Sequence, residues 1–135
     1  MQPSDGKAGV ELHDSEVVRI EWQGGDCTVV LAAYVHRSHG RPGIDHGSVW
    51  SQAAHVRVAR AEFEGESPNL PFGLTDGRLM APEREFTNVI PVPSQFTGPV
   101  RLELLGESGE SIVIVGQGCA LALVGEARYV EDFPG

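Results

Sequence analysis

Hydrophobic and polar residues alternate with a period of two over long stretches of this chain. In Val100-Arg101-Leu102-Glu103-Leu104 the apolar side chains fall on one face and the charged ones on the other, the pattern of a half-buried strand. Ile112 to Val115 and Cys119 to Val124 are apolar at nearly every position, as expected of strands that meet protein on both faces. Between these runs lie Gly106-Glu107-Ser108-Gly109-Glu110 and Gly116-Gln117-Gly118, spacers with the glycines that tight turns use. The last third of the chain is therefore predicted to be a three-stranded β-meander.

Towards the N-terminus, residues 1–9 are expected to form a disordered leader and residues 10–135 a single all-β domain. Leu12-His13-Asp14-Ser15 reads as a turn that feeds a strand over Val17 to Trp22, with Val18, Ile20 and Trp22 on one face. Gln23-Gly24-Gly25-Asp26 closes a hairpin into Cys27 to Val35, apolar on both faces and so central. The polar, Gly-rich segment from His36 to Trp50 reads as a long loop. A strand follows over Ala53 to Phe63, with a β-bulge near Arg60 where the apolar parity shifts. After a loop over Gly65 to Thr75, Asp76-Gly77 marks a turn before a short strand, Arg78-Leu79-Met80. Glu85 to Val92 is a further strand, and Pro91 and Pro93 suit a sheet edge or a strand end. Apolar residues nowhere recur at helical spacing over three turns. Seven to nine short strands of this kind predict an antiparallel sandwich or small barrel.

Charge narrows the partners. Nineteen Asp and Glu against ten Lys and Arg give a net charge of −9. Such a surface repels nucleic acid and anionic membranes and steers towards a basic protein partner. No apolar run approaches the roughly 20 residues that span a bilayer. The N-terminal Met1-Gln2-Pro3-Ser4-Asp5-Gly6-Lys7 lacks the apolar core of a secretory signal, which places the expected protein in the cytoplasm. Cys27 and Cys119 fall in apolar strand runs and read as small buried hydrophobes, with a disulfide between them as the alternative. Self-association into a homo-oligomer is compatible with all of this.

Few residues carry candidate chemistry. His36, His39, His46 and His55, with Asp45 beside His46, offer imidazole nitrogens and a carboxylate, the donor set of zinc and related ions. Their spacing matches no specific metal motif, and the His-x-His pair of a cupin-type site is missing. Glu62 with Glu64, and Glu83 with Glu85, stand two apart on a strand and so share a face. Paired acids serve glycoside hydrolysis, but this pattern equally describes a solvent-facing strand, and these four are candidates for meeting a basic partner. Trp22 and Trp50 suit a sugar platform or, more plainly, core and loop anchors. No nucleophile elbow and no Cys-x-x-Cys pair is present. The composition points to no cofactor and to no catalytic residue.

The opening Leu12-His13-Asp14-Ser15-Glu16-Val17-Val18-Arg19-Ile20-Glu21-Trp22 resembles the first strand of several small bacterial β-rich families, some of them immunity proteins of polymorphic toxin systems. It covers eleven residues and implies no catalytic group. Physically, Asp14 can accept backbone N–H groups in an Asx-turn and His13 can bridge to a neighbouring strand, so both read as structural turn residues. The combined expectation is a non-enzymatic binding domain of immunity or inhibitor type. The alternative is a small-molecule or metal-binding, cupin-like β-barrel that uses the His36–His55 segment.

Overall fold

A computed structural model describes residues 6–135 of the chain. Strands alone form its regular structure. They are β1 (Lys7–Gln23), β2 (Asp26–Ser38), β3 (Gly47–Val58), β4 (Glu62–Phe63), β5 (Phe72–Ala81), β6 (Arg84–Thr87), β7 (Val89–Val92), β8 (Ser94–Gly106) and β9 (Ser111–Phe133). They make one antiparallel sheet in the order β6-β5-β8-β9-β3-β2-β1-β7, with β4 beside β9. The sheet curls until β5 meets β1 at Glu16–Gly73 and Val17–Phe72, a partial ring. The all-β prediction holds, within the expected number of strands.

One apolar cluster fills the inside of this curl. Val10, Leu12 and Val17 of β1, Val29, Leu31 and Val35 of β2, Leu102 and Leu104 of β8 and Ile112, Ile114 and Leu121 of β9 all belong to it. The strict alternation of β8 is thereby explained, since Arg101 and Glu103 alternate with the buried Val100, Leu102 and Leu104. Val30 and Val49 are buried on the opposite parity, outside that cluster. Val49 is opposite His36, whose ring lies edge-on to Phe133 of β9 at 4.8 Å.

Several predicted boundaries move. Lys7, Ala8 and Gly9 belong to β1, not to a leader, and Met1–Asp5 lie outside the described residues. Leu12–Ser15 is a bulge within β1. Glu11 opposes Tyr34 and Glu16 opposes Ala32, so these residues together face Ala33 alone. Ser15 seals the gap: its buried hydroxyl donates to the Glu11 carbonyl at 2.5 Å and accepts the Tyr34 N–H at 3.0 Å. A second register shift beside Val18 sends Val17, not Trp22, into the core; Trp22 is 48% exposed and lies edge-on to Phe63. The Gln23–Asp26 hairpin is as predicted, with Gly24 and Gly25 at φ 58° and 90°.

The expected His36–Trp50 loop shrinks to His39–His46, because His36 still pairs with Val49 across β2 and β3. The parity shift at Arg60 is a kink between β3 and β4, where Arg60 has φ 49° and Asp26 receives both the Arg60 N–H and the Arg57 guanidinium. Asp76-Gly77 lies inside β5. A Cβ at position 77 would stand 2.5 Å from Leu12 Cδ1, so the glycine admits a core side chain and does not mark a turn. The Glu85–Val92 run is two strands separated by Asn88 at φ 66°. The C-terminal meander is a hairpin: Gly106–Glu110 turns as expected, but Gly116-Gln117-Gly118 runs straight through β9 and bonds Ala59. Cys27 and Cys119 are both free. Val58 pairs with each of them on either side, which puts them two strand spacings, about 9–10 Å, apart and beyond disulfide reach.

Candidate functional site

The five residues proposed for a metal do not gather. His36 is buried on β2, whereas His55 sits six residues beyond Val49, the partner of His36 on β3, about 20 Å along the strand. The Asp45 carboxylate is taken by the Arg41 N–H and guanidinium, and His39 and His46 are exposed in the loop. Among the described residues the one group of three metal-type ligands is Glu11, His13 and Asp14, whose donor atoms lie within 4.8 Å of one another.

That group forms around the β1 bulge. Glu11 accepts from His36 Nε2 at 2.5 Å, and His13 Nδ1 lies 3.2 Å from Asp14 and 3.9 Å from Glu11. The His36 bond holds the Glu11 carboxyl below its ordinary range, against the opposing effect of burial. Asp14 stands at φ 73°, a left-handed conformation that Asp tolerates. Asn88 ties the bulge to the β6–β7 junction: its Oδ1 accepts the His13 N–H at 2.6 Å, its Nδ2 approaches Glu11 at 3.5 Å and its carbonyl accepts the Leu12 N–H at 2.7 Å. His13 thus bridges to a neighbouring strand through its backbone. The arrangement sets the His13 imidazole between two carboxylates, with the buried His36 imidazole behind one of them.

Asn88 also lines a cleft of about 810 Å³ on the outside of the sheet edge. The start of β1, the Arg41–Ile44 part of the loop, β6 and β7 enclose it, and Ile44, Phe86, Val89, Pro91 and Val92 make its walls apolar. Pro42 and Val89 close over Gly9 at its base. Lys7, Arg41 and Arg84 stand in its lining with one acid, Glu85. No protein-family model, no curated protein and no solved structure matches this chain.

The cleft lies on a sheet edge with an unusual chemistry. Along β7 the Asn88 carbonyl bonds Leu12 of β1, and Ile90 and Val92 share its parity. Positions 89, 91 and 93 therefore turn their backbone to the free edge, and prolines occupy two of them. A second strand finds few N–H donors there. The prolines were the legible signal for an edge; nothing in the sequence joins Lys7 and Gly9 to Arg84 and Val89, which only the β1–β7 pairing brings together.

The four acids expected to face a basic partner divide. Glu64 pairs with Arg101, Arg101 with Glu103, Glu103 with Arg78 and Arg78 with Glu85, a continuous chain of ion pairs from the end of β4 across β8, β5 and β6. Glu64 and Glu85 are the ends of that chain. Glu62 is exposed on β4, and Glu83 is exposed in the turn between β5 and β6, so Glu83 and Glu85 do not form an extended pair. Trp50 is buried, donating its Nε1–H to Ser48, and no sugar platform forms with the distant, exposed Trp22.

Proposed function

We propose that this protein is a non-enzymatic binding domain and that the cleft beside β7 is its binding surface. One observation carries the reading: an apolar-walled concavity of about 810 Å³, within the ~300–1,000 Å³ typical of small-molecule sites, lies at the rim of an otherwise well-filled sheet. Among the described residues its lining contains no Ser, Cys or His, which supports binding over catalysis. The volume and the proline-blocked edge both favour a small molecule over an added peptide strand. Titration with the neutral fluorophore N-phenylnaphthylamine tests this. Saturable, one-to-one enhancement is expected, and Ile44→Asp, which puts a charge on an exposed position of the apolar wall, should weaken it strongly without changing the circular dichroism spectrum. Equal binding by this variant would move the site elsewhere.

A further inference from the structure

We propose that the ligand of this cleft is a small amphipathic anion, an apolar chain or ring ending in one carboxylate, held at its charged end by Lys7 and Arg84. The proposal rests on the binding reading above and adds the chemical class of the ligand. The chain as a whole carries −9, with ten Lys and Arg against nineteen acids. Among the described residues the cleft reverses that balance, with three cations and one acid in its lining. The acid, Glu85, is already engaged by Arg78 at 3.4 Å, and Arg78 lies outside the cleft.

The three cations differ in what they have left to offer. Arg41 is spent on Asp45, through its backbone N–H and its guanidinium. Lys7 and Arg84 form no salt bridge with any other described residue. Arg84 instead lies over the Phe86 ring, 4.9 Å from its centroid, and both side chains line the cleft. A guanidinium stacked on an aromatic wall keeps its in-plane N–H groups free for a carboxylate at the edge of an apolar surface. Phe86 in turn packs against Phe96, which steadies that wall.

An apolar body alone would leave these two exposed cations to water and gain nothing from them. A peptide with acidic side chains would meet the Pro91 and Pro93 edge, where strand addition lacks donors. A free monocarboxylate satisfies both constraints: its tail covers Ile44, Val89 and Pro91, and its oxygens take the Lys7 and Arg84 N–H groups.

Isothermal titration of the whole chain with dodecanoate and with dodecanol, both kept below their aggregation limits, separates the cases. Dodecanoate is expected to bind at least about tenfold more tightly, the scale of one charge-assisted hydrogen bond. Raised salt should narrow this ratio. Lys7→Gln/Arg84→Gln should remove the preference, weakening dodecanoate far more than dodecanol. Equal affinities for acid and alcohol, or a preference that survives both substitutions, would overturn the anionic ligand while the binding surface stands. Absence of saturable binding by either compound and by the neutral fluorophore would overturn both. An acidic, leucine-rich peptide that displaces dodecanoate at lower concentration would replace the small molecule by a protein segment.

Discussion

Asn88 shows how much one side chain can organise. It occupies a left-handed conformation and spends its amide on His13 and Glu11 while its main chain bonds Leu12 and Gly77. Asn88→Gly keeps the conformation accessible and loses the two amide bonds. Asn88→Ala loses both and adds the left-handed penalty of about 1–2 kcal/mol. Urea unfolding should therefore rank wild type above Gly above Ala, with the first step costing about 1–2 kcal/mol. Glu11 gives a pH signature. A carboxyl whose pKa is depressed on folding contributes stability above its unfolded pKa, about 4.3, and that contribution is lost as pH falls through the folded value. The stability gap between wild type and Glu11→Gln should thus be full near neutral pH and shrink below about pH 4. The thiols make a third case at this scale. Burial pushes Cys27 up to about 11 and Cys119 up to about 12. Both should react with a disulfide reagent at about pH 8 far more slowly in the native protein than in urea, because the thiolate is the nucleophile.

At the scale of elements, the free edges explain features that composition leaves unassigned. Pro91 at an outward position of β7 and Pro93 just after the strand withdraw N–H donors from a possible intermolecular ladder. Replacing Pro91 with Thr restores one donor and a strand-forming side chain. Size-exclusion chromatography should then show stronger concentration-dependent association than for wild type. The end of β9 is guarded differently. Beyond Leu121 it no longer pairs with β8, and Val124, Tyr129 and Val130 are 40–54% exposed. Two register shifts against β3 distort that stretch, and Gly125 at φ 77° accepts the Gln52 side-chain amide. Irregularity of this kind discourages edge-to-edge pairing where prolines are absent.

For the whole molecule, the seam between β5 and β1 is the weak point of the curl. It contains two residue pairs, whereas β2, β3 and β9 pair along most of their lengths around the core. Hydrogen exchange should open the amides of the β1–β5 seam well before those of β2 and β3, since local openings follow the density of buried contacts and ladder bonds. Equal protection throughout would mean that the ring closes more completely than two pairs suggest.

The sequence by itself determined the strand content, the hairpins at Gly24-Gly25 and Gly106–Glu110, and the inward face of β8, because period-two burial and positive-φ turns are local properties of the chain. Where local signals had two physical meanings, only the tertiary structure chose. Gly77 and Gly116 have the composition of turn residues, yet they stand in strands because Leu12 and Val58 press against them. His36 and His55 are close in sequence and far apart in space, because β2 and β3 run antiparallel through both. Lys7 and Arg84 are distant in sequence, and the pairing of β1 with β7 sets them around one cleft. Strand pairing is a contest among many long-range registers of similar local merit, and the shared core settles it. The candidate site belongs to that outcome.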